Sequence, residues 1–129
     1  MTRNERPSDV IMPRVDRSVL DSLIEVIGEE STRRFLAEFQ KQAAQQRFAI
    51  QAAHEDGDAD ALYREAHNLV STSGNLGIKR TSSLADAVQK AARLHDKAAL
   101  NRSVEALLVE LDAVVDDLPG LVKAASQVA

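Results

Sequence analysis

REAHNLVSTSGNLG, at residues 64–77, has the spacing of an amphipathic helix. Each residue of a helix advances about 100° around the axis, so residues three and four positions apart share one face. Small and apolar residues form one narrow stripe that begins two residues before this run: Leu62, Ala66, Leu69, Ser73 and Leu76. This pattern predicts a helix with that stripe in a core and His67 exposed on its shoulder.

The composition of the whole chain is typical of a helical protein. Its 129 residues are 44% hydrophobic but only 3% aromatic, with five glycines and three prolines. A chain of this size can bury a single core, and its many Ala, Leu, Glu, Gln and Arg residues favour helices over strands. We therefore predict one all-α domain.

Apolar residues that recur at three- and four-residue steps predict five helices. They are a short helix between Asp16 and Gly28, followed by helices at about 29–55, 59–75, 81–95 and 97–118. The aspartates at positions 16, 58 and 96 are candidate N-caps, because their carboxylates can accept from the first helical turn. We expect the last four helices to form an antiparallel up-down four-helix bundle, with the short N-terminal helix as a lid.

Prolines mark the limits of this domain. Residues 1–14 contain Pro7 and Pro13 among scattered charges, which predicts a flexible N-terminal arm before a bundle domain at 15–129. Pro119 and Gly120 are expected to kink or interrupt the last helix before a final turn at 121–128.

Two larger apolar side chains complete the predicted inner faces. The spacing places Phe35 of the second helix and Leu94 of the fourth helix on core-facing stripes. We therefore expect both side chains to be buried.

Charge and cysteine content exclude several classes of protein. The net charge of −4 and pI near 5.3 provide no basic field for nucleic acid. The absence of cysteine excludes disulfides, thiolate nucleophiles and cysteine metal sites. No uncharged run approaches the length of a membrane span or a signal peptide. We expect a soluble, cytoplasmic protein with neither nucleic acid nor membrane as a partner.

His67 is the residue best suited to chemistry, because a neutral imidazole is a competent nucleophile. Taken alone, an exposed histidine is more often an ordinary surface residue. Its neighbours Ser71, Gly74 and Gly77 are small, and glycine within a helix costs about 1 kcal/mol relative to alanine. Close approach of a partner would explain these residues. Tight helix packing would explain Gly74 equally well, and Gly77 can serve as a helix C-cap.

The run resembles the active helix of histidine-containing phosphotransfer (HPt) domains of bacterial two-component phosphorelays. In that family, leucine or isoleucine lies two residues after the active histidine, lysine and glycine often lie three and four residues after it, and another glycine lies ten residues after it. This chain supplies His67, Leu69 and Gly77. Val70 stands in place of the usual lysine and Ser71 in place of the usual glycine.

The resemblance also implies supporting residues around the imidazole. Gln89 and Arg93 lie one turn apart on the shoulder of the fourth predicted helix that matches the His67 shoulder. In several family members, a glutamine matching Gln89 hydrogen-bonds the active imidazole, and a basic residue can occupy the position of Arg93. Arg93 would then replace the missing lysine. Arg64, one turn before His67, is another candidate cation, and the Ser71 hydroxyl can donate to a phosphoryl oxygen.

The resemblance covers roughly residues 16–118 and implies a phosphohistidine carrier rather than a conventional enzyme. His67 would accept a phosphoryl group from a receiver-domain aspartate, or a kinase, and pass it to another receiver. The small surface for partner approach would be Val70, Gly74 and Gly77. The implied partners are receiver domains of response regulators and hybrid histidine kinases. Mg²⁺ is expected on the receiver, with no cofactor on this chain, which we expect to be a monomer.

Other classes fit the sequence less well. A sensor kinase needs an ATP-binding domain, for which these helices leave no room, and its dimerisation box continues differently after the histidine. A carboxylate-bridged metal bundle needs paired Glu-x-x-His motifs, but none of His54, His67 and His95 has a glutamate three residues before it. No metal site is therefore predicted. The remaining alternative is a non-phosphorylated bundle that docks receivers or other signalling partners.

Overall fold

The computed structural model describes residues 13–126, without the side chains of residue 119 and residues 121–126. This part of the chain contains five helices and no strand. They are α1 at Arg17–Ile27, α2 at Glu29–Glu55, α3 at Ala59–Asn75, α4 at Lys79–Leu94 and α5 at Lys97–Ser126. The all-α prediction is confirmed. Within the same residues, none of the helices is both long enough and apolar enough to cross a bilayer.

Aspartate side chains begin three of the helices, as the sequence predicted. The Asp16 carboxylate accepts from the Ser18 backbone N–H at 3.1 Å. Asp58 and Asp96 accept in the same way, from the backbone three residues later, at 3.0 Å and 3.1 Å. These contacts satisfy N–H groups that have no partner within the helix. Each of these three helices therefore has a start that is fixed by its own local sequence.

The helices α2 to α5 pack around one core as a four-helix bundle. Neighbours along the chain pack together, and α5 closes the ring against α2, while α1 lies mainly on α2. The core is built from leucine, isoleucine, valine, alanine and one phenylalanine. All five residues of the stripe identified around His67 are buried: Leu62, Ala66, Leu69, Ser73 and Leu76. The predicted helical bundle is thus confirmed, and α3 presents its opposite side to solvent.

Two of the predicted inward side chains are exposed instead. Phe35 is 51% exposed and Leu94 is 74% exposed. The inner face of α4 is centred on Val88, flanked by Ala85 and Ala92. Leu94 follows Val88 by six residues, which rotates it about 120° away from that face. The expectation for Leu94 was wrong because alanines, rather than the larger leucine, define the packed side of α4.

The last helix continues through Pro119 and Gly120 to Ser126, so the predicted interruption does not occur. Proline has no N–H for the carbonyl four residues earlier, which here belongs to Val115. The Gln40 side chain of α2 donates to that carbonyl through Nε2 at 3.0 Å. A neighbouring helix thus supplies the hydrogen bond that proline cannot make.

The segment before α1 is attached to the bundle by Arg14. Its guanidinium Nε lies 2.6 Å from a carboxylate oxygen of Glu110 on α5, and it also ion-pairs with Asp117. Glu110 is only 6% exposed. The predicted flexible arm at 1–14 lies outside the described residues except for its last two positions, so its flexibility stays a prediction.

Candidate functional site

His67 lies on the exposed side of α3, facing the shoulder of α4. Its imidazole Nδ1 is 2.7 Å from the side-chain oxygen Oε1 of Gln89. Since this amide oxygen can only accept, Nδ1 carries the proton and donates. In the neutral ring, the lone pair then resides on Nε2, the nitrogen that a nucleophilic imidazole uses. The two residues that the helical period placed on matching shoulders are in direct contact.

The Gln89 amide has a second partner on its own helix. Its Nε2 group donates to a carboxylate oxygen of Asp86 at 3.0 Å. The other carboxylate oxygen of Asp86 pairs with the Lys90 ammonium at 2.9 Å. Asp86 was not among the residues predicted from the sequence, although it lies three residues before Gln89 and therefore on the same side of α4. The result is a continuous series of hydrogen bonds from Asp86 through Gln89 to His67, with Lys90 as an exposed ion-pair partner of Asp86.

Two further side chains, those of Tyr63 and Arg93, extend from the imidazole as a stack. The Tyr63 and His67 rings are stacked, with centroids 5.8 Å apart and an angle of 14° between their planes. The Arg93 guanidinium carbon lies 5.5 Å from the centroid of the Tyr63 ring. Arg93 also donates through Nη2 to the Tyr63 hydroxyl at 3.0 Å. Arg93 thus contacts Tyr63, the neighbour of His67 one turn before it, which was not among the site residues predicted from the sequence.

The remaining predicted polar residues lie one turn to either side of His67. Arg64 precedes it and Ser71 follows it, and both are exposed. Val70 is half-buried, and its carbonyl accepts from the Ser82 hydroxyl of α4 at 3.1 Å. Val70 therefore contributes to the packing of α3 on α4. The roles of Arg64 and Ser71 toward a phosphoryl group stay predictions.

The two glycines after His67 differ in their surroundings. Gly74 is exposed, and a Cβ atom added there would lie 3.4 Å from the Ser82 hydroxyl. Gly77 is buried and has a φ of 73°, a conformation suited to glycine. A Cβ at Gly77 would lie 2.9 Å from both the backbone oxygen of Asp16 and the Cβ of Val19. The prediction that Gly77 is part of the open approach surface is wrong, because the start of α1 covers it.

The other histidines and the acidic groups form no comparable site in the part of the chain described. His54 Nε2 lies 2.8 Å from the side-chain oxygen of Asn101, which joins the end of α2 to α5. His95 ends α4 in the left-handed conformation, with a φ of 57°. Within residues 13–126, no group of three or more His, Cys, Asp or Glu side chains is arranged to hold a metal ion.

Comparisons with known proteins agree with this architecture. A family model described as the Hpt domain matches residues 34–118. Histidine-containing phosphotransfer protein B (HptB) of Pseudomonas aeruginosa PAO1 is similar, with 25% identity and a TM-score of 0.78 over 88% of this chain and 97% of that chain. The histidine-containing phosphotransfer domain of ArcB from Escherichia coli has the same fold, with 18% identity and a TM-score of 0.74 over 93% of this chain and 99% of that chain. No curated protein sequence matches significantly.

The family match spans more than half of the chain and includes all of α3 and α4, which carry His67 and Gln89. The fold of the two solved structures extends the likeness to the bundle as a whole. The chain therefore belongs to the Hpt domain family, and its role is histidine phosphotransfer in a phosphorelay.

Proposed function

We propose that His67 is the phosphoacceptor, which takes a phosphoryl group from an aspartate of one receiver domain, or from a kinase, and yields it to an aspartate of another receiver. The observation that supports this role is the hydrogen bond from His67 Nδ1 to Gln89 Oε1 at 2.7 Å. It leaves Nε2 unprotonated on an exposed side chain. His67 can therefore meet a partner without first rearranging the bundle.

The transfer is a displacement at phosphorus. Nε2 forms a bond to phosphorus while the bond between phosphorus and the aspartate oxygen breaks, and the aspartate leaves as a carboxylate. The Nδ1 proton stays on the ring, which becomes positively charged and remains hydrogen-bonded to Gln89. In the second transfer, the acceptor aspartate attacks phosphorus and the neutral imidazole leaves. No proton has to be exchanged with solvent in either step.

Charge compensation is assigned to Arg93 in place of the lysine that Val70 replaces. Arg93 donates to the Tyr63 hydroxyl and lies over the Tyr63 ring, which stacks on the imidazole. A guanidinium is suited to phosphoryl oxygens because its N–H groups can bind two of them. Ser71 and Arg64 are further donors on the turns adjacent to His67. The receiver would contribute Mg²⁺ and thus most of the electrostatic stabilisation.

The partners are receiver domains of response regulators and hybrid kinases, which would approach α3 beside Val70 and Gly74. HPt domains interact with receiver domains and kinases, and an approach from this side would bring the receiver to the exposed His67. We further propose that the protein acts as a monomer in the cytoplasm. The lack of cysteine is compatible with that reducing compartment.

The direct test is phosphoryl transfer from a receiver labelled on its aspartate. Wild-type protein should acquire acid-labile, alkali-stable label, and His67→Gln should acquire none. The matched control is His54→Gln, since His54 is also hydrogen-bonded to an amide oxygen but lies at the end of α2. It should be labelled like the wild type. Equal labelling of His67→Gln would refute the assignment, and receiver binding without label would favour the docking module.

A further inference from the structure

A chain of three side chains connects α4 to the imidazole. Asp86 accepts from Gln89 Nε2 at 3.0 Å, and Gln89 Oε1 lies 2.7 Å from His67 Nδ1. Asp86 and Gln89 are both half-buried, whereas His67 is exposed. This series of hydrogen bonds therefore begins in the groove between α3 and α4 and ends at the reactive ring.

The Gln89 amide by itself does not determine the state of the imidazole. A glutamine side chain presents an acceptor oxygen on one side and a donor NH₂ on the other. With its oxygen toward His67, the ring must carry its proton on Nδ1. With its nitrogen toward His67, Nδ1 accepts, and the proton of the neutral ring resides on Nε2. Only the first arrangement leaves the outer nitrogen available as a nucleophile.

Asp86 distinguishes these two orientations. An ionised carboxylate is an acceptor only, so it pairs with the NH₂ side of Gln89 and repels the oxygen side. Rotating the amide by half a turn would bring the Gln89 oxygen against the Asp86 carboxylate. It would also turn the Gln89 NH₂ group toward Nδ1 of His67. We propose that Asp86 is a positioning residue which, through the Gln89 amide, selects the His67 tautomer protonated on Nδ1. This inference rests on the proposed role of His67 as the phosphoacceptor.

The same series of hydrogen bonds favours the phosphorylated, positively charged imidazole. When Nε2 gains the phosphoryl group, the imidazole becomes positive, and its Nδ1–H becomes a stronger donor toward Gln89. The carboxylate of Asp86 polarises the amide in the matching direction. Loss of Asp86 should slow transfer about tenfold, the effect expected for losing one hydrogen bond to a charged group.

Lys90 provides the matched control on α4. Its ammonium lies 2.9 Å from the other carboxylate oxygen of Asp86, but its side chain is 70% exposed. Exposed ion pairs contribute little, and removing Lys90 leaves the contact between Asp86 and Gln89 intact. Lys90→Ala should therefore retain the wild-type tautomer.

The experiment is ¹⁵N NMR of the histidine ring nitrogens in the full chain, recorded at a pH where the imidazoles are neutral. In wild type and Lys90→Ala, Nδ1 of His67 should appear protonated and Nε2 unprotonated. In Asp86→Ala and the nearly isosteric Asp86→Asn, the tautomer ratio should shift about tenfold toward the form protonated on Nε2. Asparagine is informative because its amide can donate as well as accept. Unchanged ratios in both variants, or a change in Asp86→Ala alone, would overturn the proposal.

A second variant background distinguishes an effect of Asp86 on the orientation of the Gln89 amide from an effect on local packing. The Gln89→Glu variant presents acceptor oxygens on both sides of the side-chain group, so the tautomer no longer depends on which way the group is turned. Adding Asp86→Ala to this variant should then leave the His67 tautomer unchanged, and a shift as large as that in the protein with Gln89 would contradict the mechanism. The tautomer is read without any phosphoryl transfer. Failure of this inference is therefore distinct from failure of the phosphoacceptor assignment, which the labelling of His67→Gln decides.

Discussion

Arg93 is the residue whose removal tests how the phosphoryl charge is neutralised. Arg93 contacts Tyr63, which stacks on His67, whereas Lys79 begins α4, close to Gly77 and Ser82. We predict that Arg93→Ala slows phosphotransfer about tenfold, because a charge-assisted hydrogen bond is lost from the transition state. Lys79→Ala should have little effect. Rates of label transfer from one receiver give the ranking, and a larger effect at Lys79 would contradict the assignment of Arg93.

Tyr63 can be tested separately from Arg93 because its ring and hydroxyl have different contacts. Tyr63→Phe keeps the stack with His67 and the face presented to Arg93 but loses the oxygen that accepts from Arg93. Tyr63→Leu removes all three contacts. We expect the transfer rate to fall several-fold in Tyr63→Phe and further in Tyr63→Leu, since Arg93 becomes progressively less ordered. Wild-type rates in both variants would show that the stack does not serve transfer.

The sequence predicted the contacts of His67 only in part. Helical spacing placed Gln89 and His67 on matching shoulders of two helices, and the resemblance to HPt domains implied the hydrogen bond between them. The same spacing contained a signal for Tyr63 and Asp86, which lie four and three residues before their partners. It does not specify which rotamers meet, so neither the stack nor the orientation of the amide could be derived from spacing. Gly77 was misassigned because its cover comes from α1, far away in sequence.

At the scale of the helices, α4 shows that the spacing of apolar residues does not by itself predict which side of a helix is buried. Counting large residues placed Leu94 inside, whereas the buried face contains Ala85, Val88 and Ala92. Small side chains allow α4 to approach α3 closely, and packing rather than side-chain size sets the rotation of the helix. The aspartate caps were predictable because they require only the local chain. The helix rotation depends on partners that the local pattern does not contain.

The contact between Gln40 and α5 gives a prediction for the element that contains Pro119. Gln40→Leu removes the donor to the Val115 carbonyl and should lower the free energy of unfolding by about 1 kcal/mol. With Pro119→Ala as background, residue 119 gains an N–H that can reach the same carbonyl. The cost of Gln40→Leu should then be smaller. Urea unfolding of the four proteins measures this coupling, and equal costs in the two backgrounds would exclude it.

The cap of α1 makes stability depend on acid in a defined direction. Hydrogen bonding to Ser18, mainly from its hydroxyl, lowers the pKa of the Asp16 carboxyl below its ordinary value of 3.8. Because the folded-state pKa is the lower one, the stabilisation is complete above that ordinary value and is lost as pH falls through the folded-state pKa. Asp16→Asn keeps a capping oxygen but does not titrate. Its stability should decline less than that of the wild type below about pH 4, as measured by denaturant unfolding across pH; parallel declines would contradict this.

At the scale of the whole molecule, Arg14 connects the beginning of the described chain to both closing helices. It ion-pairs with Glu110 and Asp117 of α5, and its carbonyl accepts from the Arg80 backbone N–H of α4 at 3.4 Å. Two residues later, the Asp16 N–H donates to the Gly77 carbonyl at 2.7 Å. The segment 14–16 therefore connects the start of α1 to the end of the helix that carries His67.

This arrangement predicts that local stability at α1 and phosphotransfer can be separated. Arg14→Ala leaves the buried Glu110 carboxylate without its closest cation and should destabilise the protein by about 1–3 kcal/mol. Because α1 lies outside the ring of four helices, amide hydrogen exchange should accelerate most in α1, less in α2 to α5. His67 and Gln89 keep their contact, so transfer at a temperature where the variant is folded should match the wild type. Equal acceleration of amide exchange in all five helices, or slowed transfer by the folded variant, would show that segment 14–16 also supports the site.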